Sequence, residues 1–214
     1  MQPETRTAGK GQRSRRELTE IAINCFARFG FQGTSIDRIA RAAGVTKGAI
    51  YYHFKDKDDL LGAAVADRIQ EFEGRVQRAC EGVEASRALR RIAEVCVQHA
   101  QSLDHPRFVI KLMAESIDTN DKISAQLREM MRRFRAFLRN LIRQAQERGE
   151  FRSAIDAETA AAAYTSAVLG AEFQFYQDEE RFRFVEATRL FLDQMIADLE
   201  RKDRKERPVG VAPE

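Results

Sequence analysis

The sequence predicts an all-α protein of about nine helices, and three observations carry that prediction. Apolar residues recur at steps of three and four through most of the 214 residues. Only four prolines occur, Pro3, Pro106, Pro208 and Pro213, and three of them lie near the ends, so almost nothing interrupts helix inside the chain. No sustained alternation and no Asn-Gly turn marks a strand or a hairpin.

The elements follow in order. Leu18, Ile21, Ala22, Cys25, Phe26 and Phe29 form the apolar stripe of a first helix, ended by Gly30 as a left-handed cap. Thr34 reads as the cap of a second helix with Asp37 three residues on, and Ile36, Ile39 and Ala40 as its buried side. Gly44 breaks that helix, Thr46 caps a third running from Lys47 to about Phe54, and Asp56 caps a fourth with Asp58 and Asp59 in its first turn. Longer helices are expected over 60–80, 85–103 and 121–148, a shorter one over 106–117, and two more over 156–177 and 181–201. A flexible arm over 1–13 and a frayed tail over 206–214 complete the chain.

Composition limits the function. Hydrophobic residues make up 43% and charged residues 32%, as in an ordinary globular protein. No apolar run is long enough for a bilayer, and the start lacks the apolar core of a signal peptide, so cytoplasm is the expected location. Cys25, Cys80 and Cys96 are an odd number without metal-type spacing and read as reduced thiols. No metal set, phosphate loop or nucleophile motif stands out, which leaves an enzyme without support and no cofactor expected. Net charge is uneven: residues 1–57 carry +6 and the remainder −3. A basic head on a mildly acidic body fits a polyanion partner, or a solvated basic arm.

The stretch "GVTKGAIYYHFKDKDDL" distinguishes these readings. At about 100° per residue, Lys47, Gly48, Tyr51 and Tyr52 share one arc of the third helix, and Ile50 and Phe54 point the other way with Ala49 beside them. The apolar side anchors; the opposite side offers an ammonium, bare backbone and two phenols. Two short helices joined by a glycine turn make a helix-turn-helix, whose second helix enters the major groove. Ala40 is small where the helices cross, Gly44 permits positive φ, and Val45 and Ile50 fill the core beneath. Thr34, Thr46 and Lys57 start helices, where free N–H groups attract phosphate. Tyr52 and His53 can donate to phosphate, and Lys47 can reach a guanine edge.

Over Arg15 to Ala64, and above all in "GTSIDRIARAAGVTKGAIYYHFKDKDDLL", the chain resembles the DNA-binding signature of TetR-type transcriptional repressors. The resemblance implies a helix-turn-helix domain (1–57) followed by a larger helical effector-binding and dimerisation domain (58–205). It also implies a homodimer on palindromic operator DNA, released when a small molecule binds the body. By match to the motif, Thr34, Ser35, Thr46, Lys47, Gly48, Tyr51, Tyr52, His53 and Lys57 contact DNA.

The body is less specific. Phe72, Phe108, Met113, Phe134, Phe137 and Tyr164, with His99 as a polar anchor, can line a cavity for a largely hydrophobic effector, or can simply be core. Val168, Leu169, Phe173, Tyr176, Leu192, Met195, Ile196 and Leu199 can build a dimeric four-helix bundle, or can pack within one subunit. The rival classes are an all-helical enzyme and a protein-interaction scaffold using the same cavity.

Overall fold

The computed structural model describes residues 13–101, 110, 112–113, 121–178 and 180–200. Eight helices lie among them: α1 (Arg15–Phe29), α2 (Ile36–Ala43), α3 (Lys47–His53), α4 (Lys57–Cys80), α5 (Ala85–Gln101), α6 (Asp121–Glu147), α7 (Ala157–Gln177) and α8 (Phe184–Glu200). No strand occurs among the described residues, so the all-α prediction holds. The ninth helix, expected over 106–117, falls mostly outside the described residues, although 110, 112 and 113 are helical. The chain forms two compact units, Met1–Arg75 with His99–Met130 and Val76–Gln98 with Met131–Glu214.

In the first unit α1 starts with a full capping box that the sequence reading missed. The Ser14 hydroxyl accepts from the Glu17 N–H (3.2 Å), and the Glu17 carboxylate accepts from the Ser14 N–H (2.8 Å). These bonds hold the Glu17 carboxyl below its usual range. Leu18, Ala22, Ile23, Cys25 and Phe26 are buried along α1. Phe29, expected on the same stripe, stays exposed and lies 4.1 Å beneath the Arg38 guanidinium. The Thr19 hydroxyl donates to the Asp67 carboxylate (2.6 Å), tying α1 to α4.

The turn after α1 differs from the expectation in two respects. Gly30 has positive φ (71°), as its glycine implies, but its ψ of 169° is extended and not left-handed helical. Ser35, not Thr34, caps α2 by accepting from the Arg38 N–H (3.2 Å). Thr34 is 1% exposed, and its hydroxyl reaches the carbonyls of Gly30 (2.7 Å) and Cys25 (3.0 Å). It locks the turn onto the end of α1. Gly33 is needed there for space: a Cβ would lie 2.2 Å from the Phe29 carbonyl oxygen.

In the second unit α7 is capped by Asp156, which accepts from the Thr159 N–H (2.7 Å), and packs on α8 after a short connection. Helix α8 starts at Phe184, three residues later than expected. Tyr164 is wholly enclosed, its hydroxyl donating to the Leu89 carbonyl on α5 (2.7 Å). The inner stripe of α8 is Phe184, Thr188, Leu192, Ile196 and Leu199, all buried within the chain. The Arg152 N–H donates to the Leu199 carbonyl (2.8 Å) and the Arg152 guanidinium to Asp198 (2.6 Å), closing the loop before α7 onto the end of α8.

This packing corrects half of the expected dimer face. Val168, Leu192, Ile196 and Leu199 are at most 4% exposed in the single chain, so they form its own core. Leu169, Tyr176 and Met195 are half-buried. Phe173 remains 54% exposed, joined by Leu190 (75%) and Phe191 (47%). The regular three-and-four spacing picked out the stripe that faces inward. Leu190 and Phe191 stand off that stripe, and being apolar off the stripe was the signal that marked them.

Candidate nucleic-acid interface

Local sequence explains how α2 and α3 are set. Gly44 closes α2 in the left-handed region (φ 66°, ψ 31°). Its N–H donates to the Arg41 carbonyl (3.2 Å) and that of Val45 to the Ala40 carbonyl (3.0 Å), a Schellman arrangement that turns the chain sharply. Thr46 then caps α3, its hydroxyl accepting from the Ala49 N–H (3.2 Å). Behind α3, Ile50 is 0% and Phe54 2% exposed. The Arg15 guanidinium lies over the Phe54 ring (5.2 Å), fastening this side to α1. At the C-terminal end of α2 the Arg13 guanidinium donates to the Ala43 carbonyl (3.2 Å).

The opposite face is open. Tyr51 is 53% and Tyr52 80% exposed, and Thr46, Lys47 and Gly48 are exposed beside them. A Cβ added at Gly48 would meet only the Thr46 hydroxyl, at an ordinary 3.7 Å. Nothing inside the molecule requires glycine at this helical position, where glycine costs about 1 kcal/mol relative to alanine. At seven residues, α3 is about 10 Å long, short enough to lie across a major groove about 12 Å wide.

Lys47 has a partner that the sequence did not indicate. Its ammonium lies 2.7 Å from the Asp37 carboxylate at the start of α2, with both side chains about half exposed. The hydrogen bond to Asp37 raises the Lys47 ammonium above its usual range, so it is charged at neutral pH. An exposed pair of this kind is weak and readily exchanged for another acceptor. Asp37 reads in sequence as a helix-start residue, and only the turn between α2 and α3 brings it to Lys47.

The remaining expected residues divide. Ser35 is exposed at the α2 N-terminus, and His53 is half-buried with its ring 5.0 Å from that of Tyr52 in an edge-on arrangement. Thr34 is not on this surface, because its hydroxyl is enclosed in the turn. Lys57 starts α4, but its ammonium is directed inward: it donates to the Phe31 carbonyl (3.0 Å) and sits 4.1 Å over the Phe31 ring. Asp56 and Asp59 complete the α4 start, accepting from the Asp59 and Lys55 N–H groups (2.8 and 3.0 Å). In the body, Phe72 and His99 come together with ring centroids 5.4 Å apart, while Met113, Phe134 and Phe137 are half-buried. Tyr164 is plain core, with its hydroxyl already bonded, and Phe108 lies outside the described residues.

Two short helices around a left-handed glycine, the second presenting lysine, bare backbone and phenols over a buried apolar back, define a helix-turn-helix DNA-binding unit. Comparison with known proteins agrees. Residues 18–64 match "Bacterial regulatory proteins, tetR family", and residues 85–188 match "Tetracyclin repressor-like, C-terminal domain". A probable acrEF/envCD operon repressor of Escherichia coli (strain K12) is 30% identical over 148 residues, covering 67% of each chain. A TetR transcriptional regulator from Chloroflexus aurantiacus superposes with a TM-score of 0.76 at 23% identity, over 88% of this chain and 94% of that one. A putative transcriptional regulator from Saccharomonospora viridis, solved in complex with choline, gives 0.74 at 25% identity over 86% and 95%. The chain belongs to the TetR family and is a DNA-binding transcriptional regulator of the repressor type.

Proposed function

We propose that the chain binds an inverted-repeat operator as a homodimer and leaves it when a small molecule occupies the helical body. The division of labour proposed is a DNA-reading head over 1–57 and an effector and dimer body over 58–205. The single observation that carries the reading is the two-sided α3: Ile50 and Phe54 enclosed behind, Lys47, Gly48, Tyr51 and Tyr52 open in front. In this reading Lys47 releases Asp37 and takes a base edge, Gly48 lets the backbone approach, and Tyr51 stacks or bonds at the groove. Ser35, Thr46, Tyr52 and His53 hold phosphates, and Lys57 contributes the start of α4 more than its inward-turned ammonium.

One α3 reads only a few base pairs, so two copies on a twofold axis are required for a useful site, with half-sites about 34–36 Å apart or a multiple of that. Phe173, Leu190 and Phe191 are the exposed apolar residues of α7 and α8 that a second copy would cover. The effector is a small and largely hydrophobic molecule, received in the body, where the rings of Phe72 and His99 meet within the first unit. That a similar regulator holds choline supports a small-molecule effector. None of the described helices is long and apolar enough to cross a membrane, which supports action in the cytoplasm. Catalysis has no place in this account.

Selection from random duplexes tests it. The protein should enrich an inverted repeat, with affinity falling steeply as salt rises. Gly48→Ala should weaken binding to the selected duplex about tenfold or more while leaving the melting temperature equal or higher. Enrichment of no repeat, or undiminished binding by Gly48→Ala, would contradict the reading.

A further inference from the structure

Helices α2 and α3 carry one acidic residue between them, Asp37. It is the second residue of α2, just behind the exposed cap Ser35. Its basic neighbours on the same helix are turned to other acceptors. The Arg38 guanidinium donates to the Gly33 carbonyl (2.8 Å) and lies over the Phe29 ring. The Arg41 guanidinium donates to the backbone carbonyl of Asp37 (3.4 Å) and not to its carboxylate. The carboxylate is met instead from α3, by the Lys47 ammonium at 2.7 Å, and both side chains remain more than half exposed. Lys47 itself stands against local preference. It is the first residue of α3, where the helix dipole disfavours a cation, and no acidic residue occupies that first turn to offset it. Sequences break such local rules chiefly at functional sites.

Once Lys47 turns to a base edge, the Asp37 carboxylate loses its counter-charge and stands beside a polyanion. It then costs binding at every site except one that offers it a donor of its own. In the major groove a G·C pair presents the guanine N7 and O6 acceptors and, next to them, the N4 amine of cytosine. That order is complementary to an ammonium beside a carboxylate. An A·T pair sets its amine between two acceptors, so the ammonium faces a donor where the guanine O6 would stand. Phosphate contacts fix the orientation of α3, so C·G presents the right groups in the wrong order. We propose that Asp37 is a specificity-determining residue, and that with Lys47 it reads one G·C pair in each half-site, the ammonium taking the guanine edge and the carboxylate the cytosine amine. The inference rests on the operator reading above and adds to the groove face a residue whose charge repels DNA in general.

That repulsion is useful away from the operator. On unrelated DNA the pair stays closed, Lys47 is withheld from phosphate, and the carboxylate opposes close approach. Discrimination then comes as much from the penalty at wrong sequences as from the contact at the right one.

Competition titrations with the full-length protein test this. They use the inverted repeat that the wild type selects and variants with each base pair exchanged symmetrically in both half-sites. Lys47→Ala locates the pair that the ammonium reads, as the position where base preference relaxes. The wild type should prefer G·C there over the other three pairs by at least about tenfold. Asp37→Ala should relax the same position to about threefold or less, and the double variant should relax it no further than either single one, since the two side chains act as a unit. Asp37→Ala should also tighten binding to random-sequence duplex severalfold and steepen its salt slope by about one, because a phosphate now takes the freed ammonium. A residue that served only the start of α2 would lower the melting temperature and weaken all duplexes alike, and that result overturns the proposal. So does an unchanged base preference in Asp37→Ala, relaxation at a position that Lys47→Ala leaves alone, or a shared position that selects any pair but G·C. In each of these cases the wild type still selects a repeat, and the operator reading stands. If the wild type selects none, the operator reading fails and the paired readout fails with it.

Discussion

Replacing Tyr51 and Tyr52 together by alanine is expected to lower operator affinity by about 2 to 4 kcal/mol, roughly thirty- to a thousandfold, with the fold intact. The two phenols are 53% and 80% exposed and bear on little of the protein's own core, so their loss removes contacts made only with DNA. Alanine is the strongest helix former, and surface changes of this kind stay within about 0.5 kcal/mol of neutral. Titration of a selected operator, paired with urea unfolding, checks both halves. The neighbouring positions make the result interpretable: Tyr52 meets His53 edge-on, and any loss through that ring contact is confined to the far end of α3.

Ile50→Ala should give the opposite pattern. Ile50 is 0% exposed and sits on the back of α3, so truncating it leaves a cavity and costs about 2 to 5 kcal/mol of stability. DNA binding should fail through unfolding of the head and not through a lost contact. Two readouts separate the cases. The urea midpoint of the head falls with an unchanged slope, and the fraction that remains folded at low temperature binds operator with the salt dependence of the wild type. The two substitutions lie on adjacent residues of one seven-residue helix. Opposite signatures from such neighbours are what a two-sided helix requires.

Much of this face was legible in the sequence because α3 is short, strongly patterned and capped by residues whose chemistry is local. Thr46, Gly44 and Asp56 act within four residues of themselves, and the structure keeps each where the sequence put it. What the sequence could not resolve were choices between neighbours decided by distant parts of the chain. Thr34 and Ser35 are both good caps. The turn over Phe31 folds Thr34 against the Cys25 and Gly30 carbonyls, and Ser35 is left to cap α2. The ammoniums of Lys47 and Lys57 looked equally free, yet Asp37 and Phe31, ten and twenty-six residues away, hold them. In α7 and α8 periodicity identified an apolar stripe but not what the stripe faces. Leu192, Ile196 and Leu199 fill the chain's own core, and the exposed apolar surface belongs to Phe173, Leu190 and Phe191.

The central claim is that the open side of α3 enters duplex DNA while its apolar side stays in the protein. Photo-cross-linking tests it most directly, with p-azidophenylalanine in place of Tyr51 and, as a control, in place of Phe191, an exposed aromatic far along the chain. The account predicts efficient cross-links from position 51 to bases of the selected operator, mapped to the major groove of each half-site and suppressed by high salt, and none from position 191. Absence of cross-links from position 51 under conditions where the operator is saturated would contradict it.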